Sequence, residues 1–341
     1  MNKTFIIAEI SANHSQNLEI AKKTIIAAKE AGADAVKLQT FLPETITFES
    51  DKKYFQINHG TIWDGENLFD LYKKAFTPWE WHKELFDLAE SLNITCFSSP
   101  FDFSAVDFLE NLNCPIYKIA SLEITDIPLI DYIAKKNKPI ILSTGIANLK
   151  DIDLAVETIR NVGNNDITIL KCTSEYPTPP ESANLISIQD LRKRYRCNVG
   201  LSDHTLGIEA PIVSVCFGAS VIEKHFIMDK SIESPDSKFS LDKDEFKRMV
   251  TAIRKCEKLI GKVDHSLSEK IKNIRLKGAR SLFVVKDIKK GELFSKDNIR
   301  SIRPGYGIHP KYYYDIIGKK SLCDIEKGEP LKHSYVKNLN N

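Results

Sequence analysis

Short apolar runs alternate with longer stretches of helical apolar spacing over residues 5–260. The apolar runs, which we predict to be strands, are Phe5–Ile10, Ala35–Thr40, Ile94–Ser99, Pro115–Ser121, Pro139–Thr144, Ile167–Thr173, Asn198–His204 and Val221–Phe226. The predicted helices are Leu18–Ala31, Pro78–Leu92, Ala105–Asn111, Ile127–Lys136, Leu149–Val162, Leu185–Tyr195, Ile208–Phe217 and Asp242–Ile260. Because the strands are apolar almost throughout, they indicate a parallel sheet that is covered on both faces.

Eight βα units in about 250 residues is the count and size of a TIM barrel. The alternative is an open doubly wound sheet, whose usual dinucleotide signature is Gly-x-Gly-x-x-Gly after the first strand. No such motif follows Phe5–Ile10. We therefore predict an α/β fold, a TIM (β/α)8 barrel over residues 1–260.

The pattern changes after residue 260. Residues 261–279 are polar and charged, and we predict a linker there. From Arg280 short strands and turns follow, and the Asp-Ile-x-Lys-Gly-Glu pattern of Asp287–Glu292 recurs at Asp324–Glu329. We predict a second, small domain over 280–341. Its glycine-punctuated loop, Arg303–Gly307, is either an ordinary turn or, if this domain covers a barrel mouth, the source of a ligand-facing arginine.

One predicted connection is unusually long. It runs from Leu42 to Thr77 after the second strand, and loops of this length are usually functional or disordered. Its aromatic content favours a folded lid. His59 within it is a candidate for catalysis, for contact with substrate or for packing alone.

Composition excludes several classes of function. The net charge is +2 and the pI is near 8.0, which gives no electrostatic footprint for nucleic acid or a membrane surface. No apolar run approaches the ~20 residues of a membrane span. The N-terminus enters the first strand without a signal-peptide pattern. Seven cysteines are scattered singly, so we expect a reduced, cytoplasmic protein.

Polar residues gather at the predicted carboxyl ends of the strands. They are Glu9, Lys37, Gln39, Ser98, Ser99, Lys118, Ser121, Glu123, Ser143, Thr144, Lys171, Thr173, Ser202, Asp203, His204, Glu223, Lys224 and His225. Strand ends of this kind meet at the rim where TIM barrels hold their active sites. Any one of these residues could be structural, but several lysines and hydroxyls together predict an anionic ligand such as phosphate or carboxylate.

His204 and His225 lie at the ends of two successive predicted strands. Two imidazoles in matching positions can share a divalent metal and leave its other positions open for substrate. The alternative is that both are hydrogen-bonded core residues. The sequence does not choose between metals, because imidazole accepts several first-row ions.

Motifs along almost the whole chain are similar to those of the sialic acid synthase family. They are Ala8–His14, Gly32–Phe41, Ser98–Asp102, Tyr117–Ser121, Leu142–Gly145, Cys172–Pro177, Gly200–Thr205 and Glu223–Phe226. The resemblance implies a TIM barrel joined to a C-terminal antifreeze-like (SAF) domain. It also implies a domain-swapped homodimer in which the small domain covers the partner's active site.

The resemblance implies condensation of phosphoenolpyruvate with the open-chain aldehyde of an N-acylated amino sugar, with release of phosphate. By similarity, the residues that would bind phosphoenolpyruvate are Lys37, Ser99, Lys118, Ser121, Ser143, Ser174 and Ser202. His204 and His225 would bind the metal, expected to be Mn²⁺ or Mg²⁺. Glu123 would be the acid/base carboxylate, and Glu9 would contact the sugar or assist proton movement.

The residues that the resemblance assigns to the sugar are Gln39, Tyr176, Asp236 and Arg303. Within the family, motifs such as Trp63–Tyr72 and Ser234–Leu241 resemble the branch that makes pseudaminic acid, whose acceptor is 2,4-diacetamido-2,4,6-trideoxy-L-altrose. N-acetylmannosamine and the legionaminic acid precursor remain open as acceptors. A non-catalytic carbohydrate-binding protein on the same fold is the alternative from another class of function.

Overall fold

The computed structural model describes residues 3–58 and 60–339; His59 lies outside the described residues. The chain divides into two compact units, Met1–Lys262 and Val263–Asn341. The first unit is a closed barrel of eight parallel strands in chain order. The strands are β1 Phe5–Glu9, β2 Ala35–Thr40, β3 Thr95–Pro100, β4 Tyr117–Ile119, β5 Ile140–Ser143, β6 Ile167–Cys172, β7 Asn198–Asp203 and β8 Val221–His225.

Helices follow the strands around the barrel. In chain order they are α1 Leu18–Glu30, α2 Pro43–Ile46, α3 Leu68–Ala75, α4 Trp79–Ser91, α5 Phe103–Asn111, α6 Ile127–Ala134, α7 Leu149–Asn161, α8 Ser187–Tyr195, α9 Glu209–Cys216 and α10 Lys243–Ile260. All eight predicted strands and all eight predicted helices are present, with every end within two residues of its predicted position. The predicted TIM barrel is confirmed.

Local sequence explains where these helices begin. The Asn148 side chain accepts hydrogen bonds from the backbone amides of Lys150 and Asp151, and the Asp151 carboxylate accepts one from the Asn148 amide. Such capping boxes satisfy amide groups that the first helical turn leaves unpaired. In α10 the buried residues Phe246, Met249, Val250 and Ile253 recur at helical spacing, so one face packs on the barrel while the other faces water.

Closure of the barrel determines which strand ends are neighbours. β1 pairs with β2 on one side and with β8 on the other. In this register Glu9 lies opposite Lys37 of β2 and opposite His225 of β8. The first and last strands therefore bring their terminal polar residues to one place, although these residues are far apart in the chain.

Close approach between β7 and β8 requires a glycine at position 200. A Cβ atom on Gly200 would lie 2.1 Å from the Val221 carbonyl oxygen and 2.7 Å from Leu170 Cδ2. Backbone contact of this kind leaves no space for any side chain. Gly200 thus fixes the spacing of β7, which His204 follows, and β8, which ends in His225.

The described residues of the lid, 42–58 and 60–77, are folded. It contains α2, a 3₁₀ helix at Lys53–Phe55 and α3. The sequence analysis identified the segment as a lid but did not predict α3. The signal was present, because Asn67 caps the helix by accepting a hydrogen bond from the Phe69 amide.

The second unit has its own small core. It contains helix α11 Glu269–Gly278, the antiparallel strands β9 Ser281–Val284 and β10 Ile299–Ile302, and helix α12 Tyr313–Ile316. The two copies of the repeated motif pair with each other, since Ile288 and Ile325 exchange both backbone hydrogen bonds. Helix α11 lies in the segment predicted to be a linker, and none of its residues is buried. Its apolar residues Ile271, Ile274 and Leu276 are exposed.

Within the part of the chain that the structure describes, no helix combines the length and apolarity needed to cross a membrane.

We expect Gly200→Ala to destabilise the barrel, because the added methyl group would force β7 and β8 apart. Overpacking of this kind costs about 1–3 kcal/mol, which should lower the barrel's melting temperature in differential scanning calorimetry by several degrees. Gly278→Ala is the matched control: a Cβ there has no neighbour within 4 Å, so its melting temperature should stay the same or rise. Equal melting temperatures for Gly200→Ala and the unmodified chain would contradict the register of β7 and β8.

Candidate active site

Buried polar side chains concentrate at the carboxyl end of the barrel. Those predicted from the sequence are Glu9, Lys37, Ser99, Lys118, Ser121, Ser143, Ser202, His204, His225 and Asp236, all of them buried. Glu123, Ser174, Gln39 and Tyr176 are half-buried there. Burial of so many charged and polar groups is unfavourable unless partners or ligands compensate it. This rim is the candidate active site.

Two buried lysines lie at its centre. Lys37 is only 3% exposed and Lys118 only 2%. Lys37 Nζ lies 2.8 Å from a Glu9 oxygen and 3.8 Å from Glu223, and it donates to Ser99 Oγ at 3.2 Å. Lys118 Nζ lies 3.7 Å from Glu223. Glu223 is therefore shared between the two ammonium groups.

Environment gives the carboxyl groups different charge states. Burial opposes ionisation of Glu223, but Lys118, Lys37 and a 3.0 Å hydrogen bond from Ser202 hold its pKa below its usual value. For Glu9, burial outweighs Lys37, and repulsion from Glu223 adds to it, so its pKa rises to about 7. Near neutral pH the Glu223 carboxyl is therefore ionised, whereas the Glu9 carboxyl beside the same lysine is partly protonated.

Glu123 ends a 3₁₀ helix, Ser121–Glu123, that directly follows β4. Burial raises the pKa of its carboxyl to about 7, against an opposing effect of Lys118. Its Oε2 atom has no hydrogen-bond partner among the described residues. A buried carboxyl that titrates near neutrality, with one free oxygen, is suited to give or take a proton.

Hydroxyl groups line the exits of β4, β5 and β6. Ser121 Oγ lies 2.9 Å from Ser174 Oγ and accepts a hydrogen bond from the Ile146 amide at 3.1 Å. A Cβ atom on Gly145 would lie 2.2 Å from Ser174 Oγ and 2.6 Å from Ser121 Oγ, so only glycine leaves this space open. Ser143 Oγ is buried and has no hydrogen-bond partner in the described chain. Hydroxyls of this kind are available to a ligand that accepts hydrogen bonds.

The two imidazoles follow β7 and end β8, with ring centroids 5.3 Å apart. His204 Nδ1 lies 3.0 Å from the Thr173 carbonyl oxygen, which orients the ring. Burial, together with His204 and nearby lysines, holds the pKa of His225 well below its usual value, so this ring is neutral. Behind the pair, Lys224 forms a buried ion pair with Asp203 at 2.5 Å, which ties β8 to β7.

A divalent metal fits this pair of rings. His225 Nδ1 is buried and has no hydrogen-bond partner within the described residues, and Asp236 Oδ2 lies 3.7 Å away. No group of three or more His, Cys, Asp or Glu side chains in residues 3–58 and 60–339 is arranged to hold a metal by itself. Two imidazoles with further positions left open is the donor set of a catalytic rather than a structural site.

Arg303 belongs to the second unit, where it follows β10 and is exposed. Its assignment to the sugar remains a prediction. The other sugar candidates, Gln39, Tyr176 and Asp236, lie in the barrel. Gln39 donates to Glu9 and to Ser11 at 2.9 Å each, and the Tyr176 ring lies 4.3 Å from that of His204.

Sequence analysis assigned no role to Glu223, Cys172 or Phe239, although all three lie in this site. Glu223 carried a signal: it is two residues before His225, so both point to the same side of β8. Cys172 Sγ lies 4.0 Å from His204 Nδ1. Phe239 lies in a 3₁₀ helix after β8 and packs on His225 at 4.8 Å. No local pattern marks a loop phenylalanine as a neighbour of a histidine.

Comparison with known proteins identifies the family to which the chain belongs. Residues 24–265 match the NeuB family, and residues 279–336 match the SAF domain. The chain is 50% identical to pseudaminic acid synthase of Campylobacter jejuni subsp. jejuni serotype O:23/36 (strain 81-176), covering 97% of this chain and 96% of that protein. It is 49% identical to pseudaminic acid synthase of Helicobacter pylori (strain ATCC 700392 / 26695), covering 96% of each chain.

A solved structure is also similar. The crystal structure of N-acetylneuraminic acid (sialic acid) synthetase from Leptospira borgpetersenii serovar Hardjo-bovis in complex with citrate has a TM-score of 0.72 and 30% identity, covering 80% of this chain and 90% of that one. The predicted SAF domain is confirmed by its family match. Because the family match spans more than half of the chain and the relatives match over nearly their full length, the chain belongs to the NeuB family of sialic acid synthases, with a SAF domain at its C-terminal end.

Proposed function

We propose that this protein condenses phosphoenolpyruvate with 2,4-diacetamido-2,4,6-trideoxy-L-altrose and water, releasing pseudaminate and phosphate. Half of its residues are identical to those of a pseudaminic acid synthase over 97% of the chain. The observation that carries the chemistry is the pair of buried lysines, Lys37 and Lys118, at the barrel rim beside unpartnered hydroxyl and imidazole groups. Such a site calls for an anionic ligand.

Phosphoenolpyruvate binds at the lysines and hydroxyls. Lys37 and Lys118 supply positive charge to the phosphate and carboxylate. The hydroxyl groups that donate hydrogen bonds to them are those of Ser99, Ser121, Ser143, Ser174 and Ser202. The open space at Gly145 lets Ser121 and Ser174 approach the same oxygen atoms. Fixed donors of this kind orient the substrate as well as binding it.

His204 and His225 hold the divalent metal, which we propose to be Mn²⁺ or Mg²⁺. When bound, it supplies Lewis acidity that polarises the aldehyde oxygen of the open-chain sugar. Thr173 and the Lys224–Asp203 ion pair keep the two rings in position. Gln39, Tyr176 and Asp236 bind the sugar hydroxyl and acetamido groups near the aldehyde.

The C2=C3 π electrons of phosphoenolpyruvate form a bond from C3 to the aldehyde carbon, the aldehyde C=O π electrons move to its oxygen, which takes up a proton to become a hydroxyl, and C2 is left electron-deficient. Water adds at C2 and loses one proton. The C2–O bond to phosphate then breaks, phosphate leaves with that electron pair, and the remaining hydroxyl proton is lost as the C2 carbonyl of the α-keto acid forms. The Glu123 carboxylate accepts the proton of that water, because its raised pKa makes it a base near neutral pH. Glu9 stays beside Lys37 and contacts the sugar, where it assists proton movement.

The acceptor distinguishes this proposal from its alternatives. N-acetylneuraminate and N,N'-diacetyllegionaminate synthases would use the same lysines, hydroxyls and imidazoles with another sugar. A non-catalytic carbohydrate-binding protein would keep the fold without the chemistry. The full set of Lys118, Glu123, His204 and His225 favours an enzyme over that last alternative.

We also propose that the enzyme acts as a domain-swapped homodimer in which Arg303 of one protomer reaches the sugar in the other. The exposed apolar residues of α11, Ile271, Ile274 and Leu276, support this arrangement, because such a stripe is usually covered by a partner. A closed two-fold dimer would cover it symmetrically. We further infer a cytoplasmic location, since all seven cysteines are free thiols.

Purified, metal-loaded protein should release phosphate from phosphoenolpyruvate when given the 6-deoxy diacetamido altrose, with a product of pseudaminate mass. N-acetylmannosamine should support little turnover. EDTA should abolish the reaction, and Mn²⁺ or Mg²⁺ should restore it, because His204 and His225 require a metal to polarise the aldehyde. His225→Ala should also bind less metal by elemental analysis.

Faster turnover of N-acetylmannosamine would contradict the proposed acceptor and leave the mechanism standing. No turnover of either sugar would direct the assay to the legionaminic acid precursor. Failure with that sugar too would favour the binding-protein alternative.

The rate should depend on Glu123 ionisation. As a base it must be deprotonated, and its pKa is about 7, so kcat should rise with pH through about 7 and level off above it. Glu123→Gln removes the base and should lower kcat by roughly 10²–10⁴-fold with little change in KM for phosphoenolpyruvate. The measurement is a pH–rate profile of each protein.

Glu181→Gln, an exposed residue of the 3₁₀ helix after β6, serves as the control and should match the unmodified enzyme. Glu9 also has a pKa of about 7. If Glu123→Gln kept the same rise with pH, the ionisation that controls the rate would belong to Glu9, and the assignment of Glu123 would be wrong.

Mixed dimers test whether Arg303 of one protomer contributes to the active site of its partner. Arg303→Ala and Glu123→Gln should each be nearly inactive alone. Co-expressed with different tags, they should form mixed dimers with one intact site, giving about a quarter of normal activity if subunits pair at random. An arginine that served its own barrel would give no recovery, which phosphate release from the mixed preparation would reveal.

A further inference from the structure

Trp63 lies at the tip of a hairpin in the lid. The hairpin is closed by the bridge between Gln56 and Asn67 and by hydrogen bonds from the Ile57 amide to Glu66 and from the Gly65 amide to Ile57, both 2.9 Å. The tip is therefore held in a defined shape.

The indole attaches the lid to the loop after β8. Trp63 Nε1 donates to the Pro235 carbonyl oxygen at 3.2 Å, and Pro235 directly precedes Asp236, a sugar candidate. Trp63 also lines a cavity of about 590 Å³ between the lid and this loop; Tyr176, Phe239 and the two imidazoles are not among its lining residues. Its ring is half-buried, so it retains surface that a solute can contact.

Two further rings continue from the indole to the imidazoles. The Trp63 ring lies 5.5 Å from Tyr176 and 6.4 Å from Phe239. Tyr176 lies 4.3 Å from His204, and Phe239 lies 4.8 Å from His225. Tyr176 and Phe239 are 5.3 Å apart. These three rings, Trp63, Tyr176 and Phe239, are called the aromatic wall below. Phe239 is only 1% exposed and supports the other two, which are half-buried and keep exposed surface.

The wall contrasts with the rest of the site. The opposite part of the rim consists of lysines, carboxylates and hydroxyls, which suit phosphoenolpyruvate. An aromatic surface contributes little to a hydroxyl group but packs well against methyl groups. The acceptor of the proposed reaction has such groups, because its C6 is a methyl and both of its amino nitrogens carry acetyl groups.

Building on the proposed function, we propose that Trp63 is a specificity-determining residue: supported by Phe239, it packs together with Tyr176 against the C6 methyl end of the acceptor and selects a 6-deoxy sugar over its 6-hydroxy counterpart. Selection arises because a hydroxymethyl group would have to bury its oxygen against the rings without a hydrogen-bond partner. Trp63 acts in binding of the acceptor and takes no part in proton transfer.

The test compares two acceptors, 2,4-diacetamido-2,4,6-trideoxy-L-altrose and 2,4-diacetamido-2,4-dideoxy-L-altrose. The unmodified enzyme should prefer the 6-deoxy sugar in kcat/KM by roughly 10- to 200-fold, the range of discrimination that small apolar differences give. Trp63→Ala should remove most of this preference by raising KM for the 6-deoxy sugar, with KM for phosphoenolpyruvate unchanged. Trp63→Phe keeps an aromatic ring and loses the bond to Pro235, so it should retain the preference.

Tyr54→Ala is the control within the same lid, since Tyr54 is 76% exposed and should leave both constants unchanged. If Trp63→Ala and Trp63→Phe were equally impaired, with KM for phosphoenolpyruvate also raised, Trp63 would be an anchor of the lid and the inference would be wrong. Unchanged discrimination in Trp63→Ala would overturn it as well. An unmodified enzyme that ignored both altroses would instead overturn the proposed function, and the inference with it.

Discussion

Closure of the barrel between β1 and β8 is the constraint on which the rest of the structure depends. It places Glu9 opposite Lys37 on one side and opposite His225 on the other. Without it, the lysine and hydroxyl residues of the early strands and the imidazoles of the last two strands would belong to separate edges. A parallel barrel thus converts residues distant in sequence into one site, because all its carboxyl ends point the same way.

The buried charges then determine what the site can hold. Glu9 and Glu223 partly balance Lys37 and Lys118, so the folded protein tolerates the lysines before any ligand arrives. The balance is incomplete: Ser143, Glu123 and His225 retain atoms without hydrogen-bond partners in the described chain. The ion pairs offset enough of the buried charge for the protein to fold, and the unpaired polar atoms remain available to bind ligands. A condensation of two substrates requires both.

The aromatic wall adds a second kind of environment to the same rim. Trp63 comes from the lid, Tyr176 follows β6, and Phe239 follows β8. These three strand exits, after β2, β6 and β8, therefore contribute both polar site residues and the aromatic rings. Loop variation on a fixed barrel is how this architecture changes specificity while retaining its chemistry. The lid and the β8 loop are the parts in which acceptor preference is decided.

The sequence by itself predicted a parallel sheet covered on both faces, because its strands are mostly apolar and alternate with helices. The count of eight βα units favoured a barrel over an open sheet. The sequence also placed Lys37, Lys118, His204 and His225 at strand ends, since local pattern defines where a strand stops. Tertiary structure alone decided that Phe239 packs on His225, that Glu223 lies between two lysines, and that Trp63 reaches the β8 loop. These facts depend on strand register and on loop paths, which arise from contacts between distant residues and leave no local pattern.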